Sequence, residues 1–206
     1  MTLSTLLYFL GASFVLIIAP GPDNMFVLSQ GIAHGKRTAM VTALGMASGI
    51  SVHTTATACG ISVLLYSSVA AFNLVRYAGA AYLFFLAWQS FREQSKLKTA
   101  YIGNGSAFSL FKRGFIMDVL NPKVTMFFLA FLPQFVPPTT GHFALKIWLL
   151  GLLFMLQVAI ILCLIGYFSG SVGRSTQARP EMTRPLRWLT TGVFASLGAR
   201  LVLTEK

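Results

Sequence analysis

From Thr38 to Val75 the chain runs for 38 residues without an Asp, Glu, Lys or Arg. A helix rising 1.5 Å per residue crosses a hydrocarbon core of about 30 Å in roughly 20 residues. The stretch is therefore too apolar for water and too long for a single crossing, which predicts two spans with a turn near Tyr66 to Asn73. The remainder of the chain agrees. Hydrophobic residues make up 55% of it and charged residues 10%, against about 25% charge in an ordinary soluble domain. At 206 residues it holds about six to eight spans and leaves no room for a large aqueous domain. The expected class is an all-α integral membrane protein.

Charges and helix breakers mark six spans. The first runs from Leu3 to Ala19 and stops at Pro20-Gly21-Pro22-Asp23-Asn24, after which a second apolar piece, Met25 to Ala33, reaches His34-Gly35-Lys36-Arg37. The second and third spans divide the long uncharged stretch, and the third ends at Phe91 after Leu74. A basic segment follows. The fourth span, Gly114 to Phe135, is interrupted by Asp118 and Asn121-Pro122-Lys123; the fifth covers Phe143 to Phe168, and the sixth Leu186 to Leu203.

Alternating the spans puts eleven Lys and Arg residues on one side and four on the other, with Lys123 inside the membrane. By the positive-inside rule the eleven face the cytoplasm, so both termini are expected outside. The net charge of +11 does not indicate nucleic acid, because no polar domain exists to present a basic face. No basic residue precedes Lys36, so the first apolar segment is expected to remain in the mature protein rather than act as a signal peptide. Cys59 and Cys163 stand singly in apolar runs and form no redox or zinc pair.

Pro22 and Pro122 lie 100 residues apart, each in a break within the first span of a three-span set. A repeat with an odd number of spans inserts upside down relative to its partner, as in many secondary transporters. The single membrane domain, 1–206, is thus read as two inverted three-helix repeats, 1–91 and 114–206, joined by a basic cytoplasmic linker, 92–113. The first and fourth helices are the broken ones.

A break inside a membrane helix frees backbone groups that lipid cannot satisfy, so two corresponding breaks point to a site. This nominates Pro22, Asp23 and Asn24 with Asn121, Pro122 and Lys123 as substrate-binding residues. The run Pro20 to Asn24 also fits an ordinary turn at the cytoplasmic face, and Asp118 with Lys123 also fits mutual neutralisation near the interface. His53, with Ser51, Thr54, Thr55 and Thr57 nearby, is either a proton relay or a packing residue. Asp23, His53 and Asp118 are the titratable candidates for proton coupling. Gly31-x-x-x-Gly35, Gly45-x-x-x-Gly49 and Gly166-x-x-x-Gly170 allow close helix contact, within the chain or in a homodimer.

Taken in order, Pro20-Gly21-Pro22-Asp23-Asn24, Gly35-Lys36-Arg37, Gly45-Met46-Ala47-Ser48-Gly49, Gly79-Ala80-Ala81-Tyr82-Leu83, Leu120-Asn121-Pro122-Lys123 and Phe131-Leu132-Pro133-Gln134-Phe135 resemble the LysE/RhtB amino-acid exporter family. The resemblance spans nearly the whole chain. It implies a six-helix carrier of the bacterial inner membrane that exports amino acids or their derivatives in exchange for protons, with no cofactor. It does not choose among the family's substrates.

Other classes fit less well. A metal-ion exporter of related architecture, the alternative reading, needs several hard or His and Cys ligands in the membrane, where only Asp23, Asp118 and His53 are at hand. An intramembrane enzyme needs a nucleophile facing a base, and Ser51 and His53, two apart on a helix, do not face each other. The expected partners are the transported amino acid and membrane lipid.

Overall fold

The computed structural model describes residues 2–19, 21–67, 69–92, 105–136 and 142–172, and beyond them Trp188, 191–192, 195–196, 198–199 and 202–203. Every regular element among these residues is helical. The first helix, α1 (Leu3–Ile18), is capped by Thr2, whose hydroxyl accepts the Thr5 N–H at 3.2 Å. Next, α2 (Pro22–His34) opens with Pro22 in its first turn, where a missing N–H is harmless. The two helices meet at 55°. Gly35 alone separates α2 from α3 (Lys36–Ser67). It adopts a φ of +85°, open to glycine because it has no Cβ, and its N–H donates to the Gly31 carbonyl at 2.9 Å. Lys36 and Arg37 therefore begin a helix instead of forming a loop.

The passage from α3 to α4 (Val69–Arg92) falls inside the predicted window of Tyr66 to Asn73. The fourth span begins earlier than its predicted start at Gly114. Ser106 accepts the Ser109 N–H at 3.2 Å and starts α5 (Ala107–Val119), so Lys112 and Arg113 lie on exposed positions of a helix. At Asn121 the chain breaks and resumes as α6 (Pro122–Met126), which passes into a π-helical turn (Phe127–Phe131) and a 3-10 turn (Leu132–Phe135). This segment is bent 48° from α5. The two predicted breaks are both real bends in otherwise continuous apolar segments.

The last long helix is α7 (Phe143–Val172), four residues longer than the span read from the sequence. Its stretch Phe143–Ser171 is, among the described residues, the one helix long and apolar enough to cross a membrane unaided. Each bent pair, Leu3–Ile18 with Pro22–His34 and Ala107–Val119 with Pro122–Phe135, meets that test when taken together. Half of the sixth predicted span lies outside the described residues. Those described in it are helical, and a Cβ on Gly198 would come within 3.2 Å of the Phe84 ring on α4.

Glycines let α3 sit at the centre. A Cβ on Gly45 would run into the Phe111 carbonyl of α5, and one on Gly114 into the Thr42 carbonyl of α3. On the other side, Gly166 faces Ala39 and Val27, Gly170 faces the Lys36 backbone, and Gly31 faces Ser169. Most of the small-residue positions thus bring helices of this chain together. An aromatic cluster fills the space beside the second break: Phe127 stacks on Phe154 at 4.9 Å, Phe131 meets Phe135 edge-on at 5.0 Å, and Phe9 meets Phe135 at 5.2 Å.

Candidate functional site

The end of α1 presents carbonyls with no helical partner, as any helix end does. Asn24, in the first turn of α2, turns back on them. Its Nδ2 lies 2.8 Å from the Ile17 carbonyl and 3.1 Å from those of Ile18 and Ala19. An amide nitrogen carries two protons, so these three acceptors share two donors. The Lys123 Nζ supplies another, donating to the Ala19 carbonyl at 3.0 Å from the start of α6. A residue from the second break thereby closes the backbone of the first.

Asn121 makes the reciprocal connection. As N-cap of α6 its Oδ1 accepts the Lys123 N–H at 3.0 Å, while its Nδ2 donates to Asp23 Oδ2. Asp23 sits in the first turn of α2, where the helix dipole favours a negative charge. Its other oxygen, Oδ1, is buried without a hydrogen-bond partner among the described residues. Asp23, Lys123 and Asp118 come together at this junction. Asp23, Lys123 and Asp118 are only 9%, 6% and 1% exposed. A lipid-facing or solvated position is thereby excluded for all three.

These side chains line one cavity together with Leu16, Ile17, Asn24 and Val124. The opposite wall comes from α7, where Phe154, Val158 and Leu162 recur every fourth residue on one face. The cavity is polar where the breaks meet and apolar along α7. Its volume of about 20 Å³ is room for roughly one water molecule.

His53 lies behind Asp118. Its Nε2 is 3.1 Å from the Asp118 carbonyl and 3.7 Å from Oδ2, and its ring packs 5.8 Å from Phe128. Gly49, one turn earlier on α3, leaves the space that Asp118 fills, since a Cβ there would stand 2.6 Å from Oδ2. That oxygen has no hydrogen-bond partner among the described residues either.

Of the residues nominated from the sequence, Asp23, Asn24, Asn121 and Lys123 form one bonded cluster, Asp118 borders it, and His53 contacts Asp118. Pro22 and Pro122 do not join them. Both are exposed and absent from the cavity wall, and they shape the backbone at the start of α2 and of α6. The sequence reading missed the Ala19 carbonyl, the α7 wall and Gly21. A Cβ on Gly21 would lie 3.2 Å from the Lys123 Nζ, so glycine makes room for that ammonium. A small residue between two prolines is the signal that was available.

Comparison with known proteins finds relatives over almost the full length of the chain. The LysE type translocator model matches residues 14–205. A leucine efflux protein of Klebsiella pneumoniae is 30% identical over 214 residues, covering 98% of this chain and 96% of its own. Another leucine efflux protein, from Enterobacter sp., is 26% identical over 196 residues, covering 94% and 92%. A Vibrio cholerae protein described as an uncharacterized membrane protein is 28% identical over 200 residues, 97% of each chain. No solved structure matches.

Proposed function

The chain belongs to the LysE type translocator family, a family of transporters and not of enzymes, and from that premise we propose that it exports neutral amino acids across the bacterial inner membrane in exchange for protons. One observation carries the proposal. Charges of opposite sign, one from each break, meet in a buried cavity with an apolar wall. A zwitterion needs both signs in a low dielectric, and Asp23 would hold its ammonium while Lys123 and the first turn of α6 hold its carboxylate. Asn121 orients the two charged residues, and Asn24 holds the end of α1 beside them. The α7 face of Phe154, Val158 and Leu162 suits an aliphatic side chain, in keeping with relatives that are leucine efflux proteins.

In this reading the substrate lies between two inverted three-helix repeats that rock about it. There are six spans, both termini are periplasmic, and Asp23, His53 and Asp118 serve proton coupling. Metal-ion export has less support, because two of the relatives are leucine efflux proteins and no three His, Cys, Asp or Glu side chains gather among the described residues. The test is export from cells loaded with a leucine-containing dipeptide. Expression of this protein is expected to raise external leucine, and Asp23→Asn to remove the increase. Unchanged external amounts of leucine and the other neutral amino acids would reject the reading.

A further inference from the structure

Half-helix C-terminal ends and unwound carbonyls are where transporters hold small cations. The junction at the first break has that composition. The carbonyls of Ile17, Ile18 and Ala19 end α1 at its negative pole, where they share the Asn24 amide and the Ala19 carbonyl also takes Lys123, and Asp23 adds a buried carboxylate whose Oδ1 has no hydrogen-bond partner among the described residues. What stands there is an ammonium of the protein itself: Lys123 Nζ, 3.0 Å from the Ala19 carbonyl, in space kept open by Gly21.

We infer that the first break is a monovalent-cation site which Lys123 fills as a tethered cation, and which the substrate's ammonium takes over during binding. The inference rests on the exporter reading for its second half only. In the empty carrier Lys123 balances Asp23 and occupies the carbonyl at the end of α1. A zwitterion offers Lys123 a carboxylate in exchange, so the two ammonium groups trade places without leaving a buried charge alone. An amine without a carboxylate offers nothing in return. Removing the Lys123 ammonium leaves the oxygen cage and its negative charge intact, and a hard alkali cation of similar charge satisfies them.

Two measurements on purified protein in detergent test this. Lys123→Met retains most of the side-chain stem and vacates the position of Nζ. It is expected to show a saturable upward shift in unfolding temperature with sodium chloride over N-methyl-D-glucamine chloride at equal ionic strength. The unmodified protein should show no shift, and Asp23→Asn in the Lys123→Met background should remove it. A monodisperse Lys123→Met protein indifferent to sodium overturns the inference, whatever the protein's substrate is. The second measurement uses the unmodified protein and decides the matter if the variant does not fold. Isoamylamine, which is leucine without its carboxylate, is expected to compete with leucine at least 100-fold more weakly than leucine itself. Equal competition overturns the tethered-cation inference while leaving the exporter reading in place, whereas absence of leucine binding counts against the exporter reading and leaves the sodium result to decide the cation site.

Discussion

Asn121 bridges two charged residues with the two ends of one amide, accepting from the Lys123 backbone and donating to the Asp23 carboxylate. Neither Asp nor Ser supplies both functions with the same reach. Asn121→Ala leaves a buried carboxylate oxygen without its donor, at a cost of about 1–3 kcal/mol. Asn121→Asp adds a like charge and should be worse. Thermal unfolding and leucine affinity, measured together, are expected to fall in that order, and an Asp variant equal to the native protein would contradict the geometry. His53 supports a different prediction. His53→Gln retains a donor toward the Asp118 carbonyl but does not titrate near neutrality, so pH-driven leucine export should be lost while leucine exchange persists. If Gln and Ala variants both keep pH-driven export, His53 is a packing residue. At this scale the charged members of the site were legible in the sequence because ionisable residues are rare in apolar spans. The Ala19 carbonyl was not, since every residue has one and only the fold decides which is left exposed. Gly21 was readable as backbone freedom but not as space for a side chain arriving from residue 123.

The helices approach one another through glycine, and the sequence spacings that suggested this do not say which partner each glycine meets. Gly45 faces α5 while Gly49, one turn on, faces the side chain of Asp118, so one motif serves both packing and site. Gly114→Ala is expected to destabilise the protein by roughly 1–3 kcal/mol, because its Cβ would enter the Thr42 carbonyl in a contact with no flexible partner. Gly11→Ala, which would meet nothing within 4 Å, should leave unfolding unchanged or raise it. Comparing the two by thermal unfolding in detergent separates a steric role from a general preference for alanine in helices. Helix breaks were legible from proline, which fixes its own φ and lacks an N–H. Helix starts were less so: α5 begins at Ala107 because a serine caps it, and its basic exposed face resembles a linker in composition.

For the whole molecule, the charge asymmetry of the chain yields a sidedness that can be measured. In a background with Cys59→Ala and Cys163→Ala, cysteine at Ser4 should react from outside intact cells with an impermeant thiol reagent. Cysteine at Gly105 should react only after permeabilisation. Both positions are exposed in the structure. The opposite pattern would invert the topology, and with it the direction in which the cavity opens first. The segment after the second break has a further consequence, for chain length. In the π-helical turn Phe127–Phe131 the Leu132 N–H reaches back five residues to the Phe127 carbonyl, so the turn holds one residue more than an α-helix would. Elsewhere in a span, deleting one residue swings everything beyond it by about 100° and takes each apolar face off its neighbour. Here the surplus residue can be lost while the flanking turns keep their bearings, which makes Phe127–Phe131 the place where this span tolerates a one-residue deletion and still closes around the same cavity.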